Sequence, residues 1–223
     1  MGAAPDNFSA SYQLEARSGG RVYAAQLVLV AEPPRRLRLE LVHMAQTRAV
    51  MVLAAGRLQV ANFERREWID VPATPASSQA LLGFPAAVPE ILFALSGEAA
   101  FLAANCRPDG AACACDDGGA GRVYRFARTE EGGWARWYEL GKGELQPLLS
   151  ADYARLRERN GSLWPERIGI SIAEPEVSLR LELLDLKLDR TEIDPNLFEL
   201  HPSPNLVPVP WAKVEQQAPY LWR

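Results

Sequence analysis

From Phe8 to Arg17 the even positions (Phe8, Ala10, Tyr12, Leu14, Ala16) are apolar and the odd ones mostly polar. A period of two is the signature of a strand with one wet face. Ser18-Gly19-Gly20 is turn chemistry. The next segment, Arg21 to Ala31, carries Tyr23, Leu27 and Leu29 on one face and Val22, Val28 and Val30 on the other, so both faces call for cover. Glu32-Pro33-Pro34 breaks the pattern, and Leu37, Leu39 and Leu41 then alternate with Arg36, Arg38 and Glu40. After His43-Met44-Ala45-Gln46 a fourth strand is predicted over Thr47 to Ala55. Gly56 turns into a fifth, Leu58 to Phe63, which resumes through Trp68 to Val71.

Pro72 and Pro75 end this meander. Ser77 or Ser78 is a candidate cap for a short helix through Leu82. A second helix is predicted to open near Val88-Pro89 and to end at Gly97, with Ile91, Leu92, Phe93 and Leu95 as its apolar positions. Strand patterns return at Arg122–Arg128 and Trp134–Leu140, around the hairpin signal Glu130-Glu131-Gly132-Gly133. Ser150-Ala151-Asp152 reads as the cap of a short polar helix running to Arg159. Ile168, Ile170 and Ile172 alternate, as do Val177, Leu179, Leu181 and Leu183. At Leu183-Leu184 the phase flips, as it does at a β-bulge. The last 22 residues, from Pro202, hold five prolines and read as an extended tail anchored by Trp211 and Trp222. The predicted fold is mainly β: a strongly curved antiparallel sheet of about ten strands, an open half-barrel, with short helices capping its concave apolar face. One domain is expected over 7–201, followed by a Pro-rich tail over 202–223.

Composition adds a constraint. Of 223 residues 48% are hydrophobic and 23% charged, which is globular rather than disordered. No apolar run approaches the roughly 20 residues of a membrane-spanning helix. A net charge of −4 does not suggest a nucleic-acid-binding surface. A curved sheet whose helices only partly fill its concavity leaves an apolar cavity. The candidate wall is Tyr12, Leu14, Leu27, Leu29, Leu37, Leu39, Met51, Leu53, Ile91, Leu92, Leu95, Ile170, Leu179 and Leu181.

Catalytic motifs are missing. Asp117-Gly118-Gly119-Ala120-Gly121 lacks the lysine and the strand–helix setting of a phosphate-binding loop. No Gly-x-Ser-x-Gly elbow occurs. No cofactor is implied, and an enzyme is not expected. Cys106, Cys113 and Cys115 cluster in a polar stretch. Cys106 with Cys113 or Cys115 closes a short disulfide loop, while free thiols and a metal site remain alternatives. Met1 to Asp6 has neither the charged region nor the apolar core of a signal peptide.

The order of these segments resembles the bacterial outer-membrane lipoprotein carrier and receptor family, LolA and LolB, nearer the LolB-like branch. Phe8-Ser9-Ala10-Ser11-Tyr12 and Leu37-Arg38-Leu39-Glu40-Leu41 are similar to the family's first and third strands. Leu81-Leu82-Gly83-Phe84-Pro85 and Glu90-Ile91-Leu92-Phe93-Ala94-Leu95-Ser96-Gly97 are similar to the receptor branch's Leu-Gly-x-Pro and Leu-x-Gly punctuation. Trp164-Pro165-Glu166-Arg167-Ile168 and Leu181 to Leu188 resemble the late strands. Asp194-Pro195-Asn196-Leu197-Phe198 resembles the closing Asp-x-x-Leu-Phe. The resemblance implies a non-enzymatic carrier that holds acyl chains of a lipid or lipoprotein in a half-barrel cavity. It implies a place in the periplasm, or anchorage as a lipoprotein at the outer membrane, with the targeting segment absent from this chain. It also implies a membrane-contact loop between the third and fourth strands, at His43 and Met44. The alternative is a structural or interaction subunit of an envelope complex with a filled core.

Overall fold

The structure is a computed structural model. It describes residues 7–33, 35–83, 91–92, 94–95, 105–109, 112–116, 122–128, 134–141, 149–159, 162–172, 176–189 and 193–222. The strands are β1 (Asn7–Ser18), β2 (Arg21–Glu32), β3 (Arg36–His43), β4 (Gln46–Ala54), β5 (Arg57–Asn62), β6 (Glu67–Pro72), β7 (Asn105–Asp109), β8 (Ala112–Asp116), β9 (Arg122–Arg128), β10 (Trp134–Gly141), β11 (Leu149–Arg159), β12 (Ser162–Ile172), β13 (Val177–Asp189) and β14 (Val207–Pro208). Among the described residues the α-helices with defined bounds are α1 (Pro75–Leu82) and α2 (Trp211–Gln216). Short 3-10 turns form at Pro195–Phe198 and Tyr220–Trp222, and residues 91–92 and 94–95 are also helical.

All fourteen strands join one sheet, in the order β14-β6-β5-β4-β3-β2-β1-β13-β12-β11-β10-β9-β8-β7. Here the structure corrects the expected fold. The sheet is open and not strongly curled, so it is not a half-barrel, and it is mixed rather than wholly antiparallel, because β14 pairs with β6 in parallel. A bulge bends its own strand locally and does not by itself curl a whole sheet. The phase flip in β13 is a real register shift: Ser11 faces Asp185 and Tyr12 faces Leu183, leaving Leu184 as the extra residue, 57% exposed. Such a shift adds one residue to one strand. It does not bring β14 round to β7.

Two-residue turns close the early hairpins. Gly19-Gly20, Met44-Ala45 and Ala55-Gly56 all have positive φ at both positions, the backbone that matches the twist of the flanking strands. What was read as one interrupted fifth strand is two, β5 and β6, joined through residues 63–66. Residues 150–159, read as a helix, form β11 instead. Ala, Leu, Arg and Glu favour helices only by tenths of a kcal/mol each. That is outweighed by a ladder to β12 running from Leu149 opposite Ile172 to Arg159 opposite Ser162, with Ala151 and Tyr153 buried.

The main core lies on one face of the sheet. It joins the inward positions of β1 to β6 and β11 to β13 to α1, Ile91, Leu92, Ala94, Leu95, Val214 and Tyr220. The opposite face carries two small clusters. Val50 and Val52 pack with Phe198 and the partly buried Val30, and Ala61 and Trp68 pack with Leu206. The segment 193–206 therefore covers part of the second apolar face that β2 and β4 present, while Val22 stays 60% exposed. Arg36 stacks on the Phe198 ring at 4.8 Å, and Arg38 Nη1 donates to the Leu197 carbonyl at 3.0 Å.

The chain then rounds the β6 edge and reaches the inner face. The tail, expected to be extended, forms α2 and a 3-10 turn there, with Val214 and Tyr220 fully buried. Its docking point is the end of α1. Thr74 caps that helix, three residues before the expected serine, its Oγ1 accepting from Ser77 N at 3.2 Å. Gly83 ends it at φ +92°, and a Cβ built there would stand 3.2 Å from the Pro219 Cβ. Gly83→Ala therefore combines left-handed backbone strain with a tail clash. It is expected to cost about 1–2 kcal/mol, read as a lower midpoint in thermal or urea unfolding.

Candidate functional site: an apolar space beneath the helices

Between the sheet's inner face and the helical layer lies a cavity of about 50 Å³, lined by Leu14, Leu27, Leu39, Leu41, Ala49, Met51, Leu82, Ile91, Ala94, Leu95, Ile170, Leu179, Leu181 and Leu221. Every described lining residue is apolar, so none of their side chains holds a water by hydrogen bonds. Water occupies roughly 10–15 Å³ on this measure, so the space has room for only a few small groups as it stands. A long alkyl chain requires the helical layer or Leu221 to move.

Of the fourteen residues singled out from the sequence, Leu14, Leu27, Leu39, Met51, Ile91, Leu95, Ile170, Leu179 and Leu181 surround this space. Leu29, Leu37, Leu53 and Leu92 are buried in the same core away from it. Leu37 and Leu53 face each other across β3 and β4, one repeat further along the sheet. Tyr12 is packed too, and its hydroxyl donates to the Leu95 carbonyl at 2.8 Å. Trp164 Nε1 donates to that hydroxyl at 3.4 Å, and Tyr153 donates to the Ala94 carbonyl at 3.2 Å. Two buried tyrosines thus hold the helical backbone over the sheet. Burial drives the Tyr12 hydroxyl well above its ordinary pKa, against the opposing effect of the Trp164 bond, so it stays a neutral donor.

Sequence reading missed Leu41, Ala49, Leu82, Ala94 and Leu221. Leu41 and Ala49 continue alternations already visible in β3 and β4. Leu221 had no such signal, because it arrives with the tail. Lys213 Nζ donates to Glu67 Oε1 at 2.6 Å, the Tyr220 hydroxyl donates to Glu67 Oε2, and the Arg65 guanidinium lies 4.7 Å over the Tyr220 ring. These contacts clamp the tail so that Leu221 reaches the cavity.

Met44 stands at the tip of the β3–β4 hairpin, 82% exposed. His43 turns back, its Nδ1 3.0 Å from the Ala24 carbonyl. In the β7–β8 ladder Cys106 faces Cys115 and Cys113 faces Pro108. The segments 84–90, 96–104 and 129–133, which carry the rest of the second predicted helix and the Glu130–Gly133 turn, lie outside the described residues. Among the described residues no cluster of metal-ligating side chains occurs, and no helix is long and apolar enough to cross a membrane.

No family model matches the chain. No curated protein matches it either. Its fold does match solved structures. A LolA superfamily protein from Nitrosomonas europaea superimposes with a TM-score of 0.57 at 11% identity, over 88% of this chain and 91% of that one. A DUF1329 family protein from Desulfovibrio piger gives 0.55 at 8% identity, over 88% and 90%. A domain described as an outer membrane lipoprotein-sorting protein, from Vibrio parahaemolyticus, gives 0.50 at 10%, over 86% and 88%. At these identities the likeness is one of fold. The chain is similar in fold to these proteins, and the likeness does not separate a LolA-like from a LolB-like branch.

Proposed function

We propose that this protein is a non-enzymatic carrier of the bacterial envelope that holds an acyl chain of a lipid or lipoprotein beneath its helical layer. The observation that supports this reading most is the cavity between sheet and helices, apolar at every described lining residue, set in a fold shared with a LolA superfamily protein and a domain described as lipoprotein-sorting. Burying a methylene is worth about 0.8 kcal/mol, so a chain of a dozen supplies around 10 kcal/mol gross before ordering costs. The test is native mass spectrometry and solvent extraction of the purified protein, together with titration of a fluorescent fatty acid. Bound lipid, or saturable and displaceable probe binding, supports the carrier. An empty protein that binds no probe sinks it.

The receptor-like branch is supported by the β3–β4 tip. Met44 and Ala45 occupy φ of 49° and 59°, where Asn-Gly is the stable choice, so an exposed methionine there costs stability without serving the core. Replacing Met44-Ala45 by Asn-Gly is expected to stabilise the hairpin by about 0.5–1 kcal/mol. It is also expected to weaken sedimentation with phospholipid vesicles. Unchanged vesicle binding would remove Met44 from the membrane contact.

A second reading, a filled interaction subunit of an envelope complex, is favoured by one observation: the cavity is small and Leu221 occupies part of its wall.

A further inference from the structure

A second, polar pocket of about 30 Å³ adjoins the apolar cavity and shares Leu41, Ala49 and Leu221 with it. Its polar lining is Tyr23, Arg48, Asn62, Glu64 and Arg65. Arg48, near the start of β4, keeps its Nε buried with no hydrogen-bond partner among the described residues. A buried guanidinium N–H left unpaired costs about 1–3 kcal/mol or more, and a charge-assisted bond to an anionic oxygen removes that cost. Arg65 is held at the same pocket by its stacking on Tyr220 and a 3.4 Å bond from Nη1 to Gln217 Oε1. Two guanidinium groups and one carboxylate, that of the exposed Glu64, line the pocket, while Glu67, also near Arg65, is already bonded by Lys213 and Tyr220. The pocket lies at the sheet end where the Met44 tip projects, since β4 begins at Gln46 and β5 ends at Asn62.

Resting on the carrier reading above, we propose that the ligand is an anionic amphiphile, its carboxylate or phosphate head bound at Arg48 with Arg65 beside it and its chain running past Leu41 and Ala49 into the apolar space. The juxtaposition supplies what such a molecule needs: an apolar wall for the tail and, at one end of it, a buried guanidinium Nε–H with no partner among the described residues.

The test is competition against N-phenyl-1-naphthylamine, a neutral fluorescent probe for apolar sites. The competitors share a twelve-carbon chain and are used below their micelle concentrations: dodecanoate, dodecyl phosphate, monolaurin and dodecyltrimethylammonium. Dodecanoate or dodecyl phosphate is expected to displace the probe at a concentration at least tenfold lower than monolaurin, with the cation weakest. Whichever anion is stronger identifies the head. Arg48→Met keeps the aliphatic stem and is expected to erase that gap while leaving probe and monolaurin affinity unchanged. Displacement that ignores the head, or a gap that survives in Arg48→Met, overturns the anionic head site and leaves the carrier intact. Displacement by inorganic phosphate alone points to a free anion and overturns the amphiphile. Failure of the full chain to bind the probe or any of the four overturns the carrier reading and this inference with it.

Discussion

Removing residues 203–223 is expected to lower stability and raise affinity for an apolar ligand at the same time. The stability loss follows from burial. Leu206, Val214 and Tyr220 are all at most 9% exposed, and each is worth about 1.5–3 kcal/mol of transfer free energy. The ordering entropy returned on release offsets part of that. A net loss of about 3 kcal/mol corresponds to a melting shift of roughly 6–12 °C in a domain of this size. The affinity gain follows from geometry, because Leu221 leaves the cavity wall and Pro219 leaves the end of α1. A packed core that the tail merely completes would lose stability and gain nothing. Leu221→Ala, which spares the tail's other contacts, gives the same comparison in a milder form.

The tail's hold also depends on pH. Burial works against the charge of Glu67, but bonds from Lys213 and Tyr220, with Arg65 nearby, outweigh it and hold its carboxyl below the ordinary glutamate range. A depressed folded pKa means the contribution is fully present above the unfolded value of about 4.3 and is lost as pH falls through the lower folded value. The stability difference between the full chain and the truncated one should therefore shrink in acid below about pH 4. A constant difference would show that the Glu67 contacts do not hold the tail.

Trp164→Ala is expected to have the largest single-residue effect, about 3–5 kcal/mol. Trp164 is 1% exposed and meets Phe8 edge-on, with ring centroids 5.0 Å apart and an interplanar angle of 71°. It also supports Tyr12, whose hydroxyl fastens the Leu95 carbonyl. Tyr12→Phe keeps the ring and leaves that carbonyl without its donor, for a cost of about 1–3 kcal/mol. Urea unfolding of both single variants and the double variant separates packing from the hydrogen-bonded chain. If the hydroxyl transmits part of Trp164's effect, the double costs less than the sum. Strict additivity would show that Trp164 acts through packing alone.

The alternations of Phe8 to Ala16 and Leu37 to Leu41 were legible because each strand has one wet face, and the flip at Leu183-Leu184 was legible because a bulge shifts phase by one residue. What failed was longer in range. Pairing of β11 with β12 overrode the helical composition of residues 150–159, and no local signal marks a segment whose shape a ladder decides. The half-barrel failed because strand patterns report faces and bends, not where the two ends of a sheet go. The cavity was half legible for the same reason. Alternation places Leu14, Leu37 and Leu53 on one face, but how far along that face the helices and Leu221 leave room depends on contacts between residues some two hundred positions apart. The polar pocket at Arg48 gave no sequence signal, since an isolated arginine in a strand reads as a solvated charge.

The central claim, that the space beneath the helices takes an apolar chain, is tested most directly by titrating the full-length protein with a fluorescent fatty acid. The carrier reading predicts saturable binding at one site, displaced by unlabelled fatty acid and strengthened in Leu221→Ala. No saturable binding in either protein would contradict it and leave the filled interaction subunit.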